Sequence, residues 1–276
     1  MKENKENKRR VKFILSCVLC LISCVSLSQP TEKLKIDDEL WLESAVEYYL
    51  QDSSYFYASA SFQRGDSRFG SINNSPFGGR DLLIGYEKFI RVKWQVGASI
   101  NREFVVKGRR TDFFTGYLKH NGRISSLIFL KELGVSFLQE REFPIYNNGN
   151  NTFFNLSAYL GKRYEIGKLK IQTGLSYKAV FWYEHSGEPR TVDQTFLRFQ
   201  QDLKVHENVI ISLFASRNTD YFHALEASAR FDSHGNEIAP PQPFRKLNLR
   251  TAVYGFRVRL LLNKQNASGE LPFVLK

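Results

Sequence analysis

Arg91-Val92-Lys93-Trp94-Gln95-Val96-Gly97-Ala98-Ser99-Ile100-Asn101 changes character at every residue. Val92, Trp94, Val96, Ala98 and Ile100 fall on one side, and Lys93, Gln95, Gly97, Ser99 and Asn101 on the other. A strand side chain switches face at each step, so the run reads as a strand with one apolar and one polar face, and no helical stripe competes with it. Leu169 to Trp182 repeats the pattern, with Leu169, Ile171, Leu175, Tyr177, Ala179 and Phe181 opposed to Lys170, Gln172, Gly174, Ser176 and Lys178. Ordinary strands run ~5 to 6 residues; these reach the ~9 to 11 that cross a bilayer at a tilt.

Working outward, Glu39 to Leu50 sets Leu40, Leu42, Val46, Tyr48 and Leu50 against Glu43 and Glu47, and Tyr55 to Gln63 sets Phe56, Ala58, Ala60 and Phe62 against Tyr57, Ser59 and Ser61. Further strands are read at Asp81 to Phe89, Phe113 to His120, Arg123 to Phe137, Thr152 to Arg163, Thr195 to Val205, Val209 to Arg217, Phe222 to Asp232 and Leu247 to Leu262. That makes about twelve, an even number of the kind single-chain bacterial barrels favour. The expectation is an all-β, closed antiparallel transmembrane β-barrel over residues 39–263, with a tail at 264–276. Asn121-Gly122 supplies the pair a tight type I′ hairpin wants. Tyr164 to Lys168 and His206 to Asn208 are similarly short joins, whereas Arg64 to Arg80, Gln139 to Asn151, Glu184 to Gln194 and Ser233 to Arg245 are long and polar.

Two features conflict with this reading. With twelve strands and both ends on the periplasmic side, the short turn Gln51 to Ser54 falls outside and the long loops inside, the reverse of the usual barrel; a strand split wrongly around Asn218 to Tyr221 would explain it. Lys131 falls on the apolar face of Leu127, Phe129, Leu133 and Val135, where a lysine at mid-bilayer costs ~2 to 4 kcal/mol. A bulge near Lys131-Glu132 would exchange the faces and remove the conflict.

At the N-terminus, Lys2, Lys5, Lys8, Arg9, Arg10 and Lys12 precede the uncharged run Phe13 to Ser28. A basic segment, a short apolar one and small residues at Ser26 and Ser28 read as a signal peptide over 1–28, leaving 29–38 as an N-terminal lead. Leu21-Ile22-Ser23-Cys24 also reads as a lipobox, with Cys24 lipidated. Cys17, Cys20 and Cys24 are the only cysteines, so the body of the chain holds neither a disulfide nor a thiolate metal site. Of the formal net charge of +11, the basic leader carries six Lys/Arg and two Glu, leaving about +7 for the rest of the chain. An exported chain has no access to cytoplasmic nucleic acid, so no nucleic-acid partner is expected. The abundance of Phe and Tyr, 23 and 13 residues, beside a negative mean hydropathy suits a polar interior within an apolar, aromatic-girdled wall, although soluble β-sandwiches reach similar values.

From Glu39 onward the chain resembles small Gram-negative outer-membrane barrel proteins, in pattern and not through a diagnostic motif. It departs from them at Leu271-Pro272-Phe273-Val274-Leu275-Lys276, which lacks the terminal aromatic many of them carry. A periplasmic β-sandwich or lipocalin-like barrel is the competing fold. For chemistry, His120-Asn121-Gly122-Arg123 resembles the His-x-Ser-Asn-Gly arrangement of outer-membrane phospholipase A but lacks its serine, and Ser125 and Ser126 come too late. His185-Ser186 with Asp193 reads as a polar loop. His206, His223 and His234 have no metal-ligand spacing, and no phosphate-binding glycine loop is present. No catalytic residue, metal or cofactor is therefore expected.

The inward face carries the informative residues: Glu43, Glu47, Asp81, Glu87, Lys93, Lys170, Lys178, Arg198, Asp202, Arg257 and Arg259. Mixed charges there either line a narrow aqueous path or pair across a barrel too small to conduct. The first functional reading is a small porin-like channel for polar solutes, the second a closed barrel acting as a structural or accessory subunit of an envelope assembly, and the third a lipid-active hydrolase. Outer-membrane lipid and envelope proteins are the expected partners. An even barrel must pair its first and last strands antiparallel, which predicts a seam locked by Glu43 and Glu47 against Arg257 and Arg259.

Overall fold

The computed structural model describes residues 32–35, 38–65, 79–105, 109–140, 152–167, 169–182, 192, 194–224, 230–231, 237–239 and 245–263. Residues 1–28 with Cys24, residues 29–31 and 36–37 of the lead, and the tail 264–276 lie outside the described residues. In chain order the strands are β1 (Glu32–Lys35), β2 (Glu39–Tyr49), β3 (Ser54–Arg64), β4 (Gly79–Arg91), β5 (Trp94–Val105), β6 (Arg109–Ile124), β7 (Leu127–Glu140), β8 (Thr152–Ile166), β9 (Leu169–Trp182), β10 (Gln194–His206), β11 (Val209–Ala224), β12 (Arg230–Phe231), β13 (Glu237–Ala239) and β14 (Arg245–Leu262). The described residues contain no helix.

β2 to β11 and β14 form a closed barrel of 11 strands, with β1 hydrogen-bonded to β14 outside the closed circuit. The short strands β12 and β13 pair with each other in a separate sheet. Neighbours from β2 to β11 run antiparallel, but β14 meets β2 in parallel, from Val253 opposite Glu39 to Leu262 opposite Tyr48. This corrects the expected antiparallel seam. A meander that crosses an odd number of times returns running the same way as it set out.

The odd count arises at Asn218 to Tyr221, which do not break the chain but continue β11. Asn218 lies opposite Phe196 and Asp220 opposite Gln194 in an unshifted register. Polar residues there mimic a turn, yet Asn218 and Asp220 belong to the inward face, where alternate polar side chains are expected. The expected separate strand Phe222 to Asp232 is therefore partly the end of β11.

With that strand merged, the short turns between β2 and β3, β4 and β5, β6 and β7, β8 and β9, and β10 and β11 all lie at one rim. The longer joins 65–78, 141–151 and 183–193 connect strands across the other, so β2 starts at the long-join rim and β14 ends at the short-turn rim, which replaces the expectation of both ends on one side. One hairpin moves. Asn121 and Gly122 sit inside β6, opposite Leu130 and Phe129, and the turn falls at Ser125-Ser126, where Ser125 takes a φ of 57°. β5 likewise begins at Trp94, so Val92-Lys93 is a turn and not strand.

The registers also reveal the tilt. Followed straight across the hydrogen bonds from Tyr49, at the short-turn end of β2, they pass Tyr55, Glu87, Gly97, Tyr117, Gly134, Asn155 and Val180. They arrive at Gln194, where β10 begins at the opposite rim. Strands inclined at ~35 to 45° to the barrel axis produce this climb.

Alternation then sorts the faces. Leu42, Ile84, Ile100, Leu133, Leu156, Leu175 and Leu213 are exposed on the outside, with Phe62, Phe104, Phe114, Phe137 and Phe154 toward the rim of long joins and Tyr48, Phe56 and Trp94 toward the short turns. Lys131 also faces out, and no bulge exchanges the faces, since its pairings with His120 and Ala158 are in register. Its neighbour His120 lies opposite Trp94, the first residue of β5, so Lys131 stands near the short-turn rim. Its ammonium lies over the Phe129 ring at 5.0 Å.

The parallel seam has a direct test. Ser44 and Val258 are directly opposite each other. In a chain lacking Cys17, Cys20 and Cys24, S44C/V258C should oxidise to a disulfide that alters gel migration, because paired strands bring Cα atoms within bridging range. A pair that stays reduced under oxidant while the barrel is folded would contradict the parallel register.

Candidate functional site

The interior is built from two levels. Nearest the short turns, the inward residues are almost all buried: Glu47, Tyr49, Tyr55, Tyr57, Glu87, Gln95, Lys119, Tyr159, Gln172, Gln200, Asp202, Ile210, Ser212, Arg259 and Leu261. Glu87, wholly buried, is the hub. Its carboxylate accepts from Tyr117 Oη at 2.7 Å, from Lys119 Nζ at 2.6 Å and from the Tyr55 hydroxyl. Tyr57 and Tyr117 join hydroxyls at 2.8 Å, and Lys119 also reaches Glu132 at 3.4 Å. Beside them the Tyr49 hydroxyl donates to Glu47, which pairs with Arg259 Nη1 at 3.4 Å. Across the floor, Gln172 Nε2 donates to Tyr159 Oη at 2.6 Å, and Asp202 accepts from Gln200 Nε2 at 2.7 Å and from the Ser212 hydroxyl.

The rings reach this layer because glycines in the wall let them lie flat. A Cβ on Gly85 would come 2.2 Å from Tyr57, and one on Gly174 would come 2.2 Å from Tyr159. Barrels of ~8 strands are filled by their side chains and those of ~16 leave a channel. With eleven strands, large aromatic side chains are what span the floor.

Above this floor the lumen opens. Ser59, Ser61, Ser99, Thr115, Ser157 and Ser176 face inward and are part-exposed, and Lys178 is exposed although it too points inward. Small hydroxyl side chains cannot fill the width, so space remains around the lysine. Lys178 makes no ion pair among the described residues and lies 5.9 Å from the Phe196 ring centre. Arg198 stacks on Phe214 at 4.1 Å and sits 3.9 Å from Glu43. Glu43 is paired with Arg257 across the seam. Asp81 accepts from Ser61 Oγ at 3.0 Å and from Gln63 Nε2 at 2.5 Å.

The structure thus brings together Glu43, Arg198 and Arg257 in one group, places Glu47 with Arg259, and holds Glu87 and Asp202 in the floor. Lys178 and Asp81 stand in the open level. Lys93 and Lys170 do not join them. Lys93 lies in the turn between β4 and β5, exposed, and is no part of the lumen. Lys170, exposed at the short-turn rim, pairs with Glu165 at 3.5 Å. Sequence reasoning set Tyr57 on the polar face with Ser59 and Ser61 but did not single out the floor tyrosines, because alternation assigns a face and not which rings meet across the interior.

His120 faces outward against Trp94, their ring centres 4.7 Å apart, so it cannot serve a luminal serine. His206 lies at the rim, where its Nδ1 accepts the Asn208 N–H at 3.3 Å. His185, Ser186, Asp193 and His234, and the side chain of His223, lie outside the described residues. At the same rim Asp52 accepts from Ser54 and from Lys88 Nζ, which hold its carboxyl below the ordinary range. Those turn contacts are complete above the ordinary carboxylate pKa and fade as the pH falls through the depressed one. No protein-family model and no curated protein matches the chain.

Proposed function

We propose that the chain is an outer-membrane β-barrel closed at its short-turn rim, serving as a structural or accessory subunit of an envelope assembly and not as an open porin. The membrane setting is supported by the outer wall. Exposed Leu, Ile and Phe side chains cover it, while Glu43, Glu47, Asp81, Glu87, Lys178, Arg198, Asp202, Arg257 and Arg259 turn inward. A soluble barrel places its apolar face inside, so the distribution favours lipid as the surrounding medium. The basic segment before Phe13 favours export to that membrane.

The closed reading rests on the floor. In that layer Tyr55 and Tyr117 share the Glu87 carboxylate and Lys119 neutralises it, and the side chains are nearly all buried, with Tyr117 and Glu132 part-exposed. The porin-like reading retains one favourable observation, the open level around Lys178, but the floor lies beneath it. Purified protein in a planar bilayer should give no resolved channel steps. Removing two rings with Y55A/Y117A should introduce them, since each large-to-small change leaves a void that polar walls let water fill. Regular steps from the unaltered protein would sink the closed reading and restore the porin.

A further inference from the structure

Arg64, Arg80 and Arg102 stand on three successive strands, β3, β4 and β5, and all belong to the outward face. Arg80 lies opposite Phe62 and Phe104, and Arg102 lies opposite Leu82. Arg64 is two residues beyond Phe62 and Arg102 two before Phe104, so each arginine is one diagonal step from the next. Because the strands climb toward the rim of long joins from β2 to β11, equal height on the next strand is found one to two residues back toward the short turns. Both diagonal steps run that way. The three arginines therefore form a row at one depth, on the upper edge of an apolar wall that includes Phe62, Leu82, Ile84 and Ile100.

Their surroundings differ from those of the cations at the other rim. Arg64 and Arg80 are exposed and make no ion pair among the described residues. Arg102 is oriented by Asp112, through Nε at 2.6 Å and Nη2 at 2.9 Å, with its remaining N–H groups uncommitted to that pair. On the outward face near the short turns stand Lys88 paired to Asp52 at 3.0 Å, Lys131 over Phe129, and Lys162, with Arg91 alone opposite Trp94 and in no row of arginines. A guanidinium presents a planar fork that holds phosphate oxygens in pairs, whereas an ammonium is a point charge suited to snorkelling.

We infer that the row Arg64, Arg80 and Arg102 binds the phosphates of a multiply acylated glycolipid carrying two phosphate groups, whose chains lie on the wall at Leu82, Ile84 and Ile100. Two diagonal steps of ~7 to 8 Å each make the row wider than a single phosphodiester headgroup and match a lipid with two separated phosphates. The inference rests on the membrane reading and goes beyond it by naming the lipid. It also sets the rim of long joins in the leaflet that holds this lipid.

The test uses the full chain, purified as a folded barrel in detergent and titrated by native mass spectrometry. The probes are a bis-phosphorylated, multiply acylated diglucosamine lipid, the same lipid with its phosphates removed, phosphatidylglycerol and inorganic phosphate. The bis-phosphorylated lipid should bind roughly tenfold more tightly than its dephosphorylated form or phosphatidylglycerol. R64Q/R80Q, which alters only exposed side chains, should abolish that preference, and K131Q/K162Q should leave it intact. Equal binding with and without phosphate, equal binding of phosphatidylglycerol, displacement by inorganic phosphate at comparable concentration, or equal loss in the lysine variant would each overturn the glycolipid site. A chain recovered as soluble protein whose gel migration is unchanged by boiling would bring down the membrane reading as well. A heat-modifiable membrane protein without the phosphate preference brings down this inference alone.

Discussion

Glu87→Ala should destabilise the folded barrel by about 3 to 5 kcal/mol, read as a lower urea midpoint in the heat-modifiable gel shift. The size follows from what Glu87 serves. Its two oxygens take the Tyr55 and Tyr117 hydroxyls and the Lys119 ammonium, and both members of the ion pair are buried. Deleting the carboxylate leaves the buried ammonium with Glu132, at 3.4 Å, and the Tyr117 ring, and takes one acceptor from each of two hydroxyls. Glu87→Gln keeps an acceptor but loses the charge, so it should fall between the two. E87A/K119A should be less damaged than E87A alone, because the stranded charge goes with its partner. A shift below about 1 kcal/mol for E87A would mean that water reaches this level and that the floor is not closed.

R257E should be nearly as damaging, by about 3 to 5 kcal/mol on the same assay, because it sets a second carboxylate against Glu43 where the barrel closes. Exchanging both charges in E43K/R257E should recover part of the loss. Recovery stays incomplete because Arg198, held flat on Phe214 and 3.9 Å from Glu43, then faces a lysine. Adding R198Q should bring the exchanged seam closer to the original. An R257E protein as stable as the parent would show that the seam is held by its backbone ladder alone.

Much of this was legible because a barrel with an apolar outer wall and a polar interior writes its two faces into alternate residues. Glu43, Glu47, Arg257 and Arg259 could be assigned inward from neighbouring Leu, Val and Phe, and the pairs they form, Glu43 with Arg257 and Glu47 with Arg259, follow from the two strands being adjacent. The direction of closure was not legible. It depends on the parity of the strand count, which one misread segment, Asn218 to Tyr221, is enough to reverse. Alternation alone cannot tell a polar turn from a polar inward face, and the conflict over which rim carried the short turns was the clue that could. The turn at Ser125 was missed for a local reason. Asn121-Gly122 has the composition of a tight turn, but the chain keeps pairing through Ile124 opposite Leu127. Lys131 seemed misplaced because height was judged along its own strand; strand tilt and the start of β5 at Trp94 bring it near the short-turn rim. The floor depended on tyrosines lying over glycines of neighbouring strands, a relation between distant segments that no single strand displays.

The parallel seam also governs how the chain could be rewired. β2 starts at the rim of long joins and β14 finishes at the rim of short turns, so the entrance and exit of the barrel are separated by its full height, ~25 Å of apolar wall. Most small domains keep their ends close and tolerate being reconnected and reopened elsewhere. On the proposed membrane reading, a linker joining the ends would have to run through lipid, leaving its peptide groups without partners, or past the floor of Tyr55, Tyr117 and Glu87. Circular permutation would then be closed to this barrel, and the order of its strands would be tied to the sidedness of the surrounding bilayer.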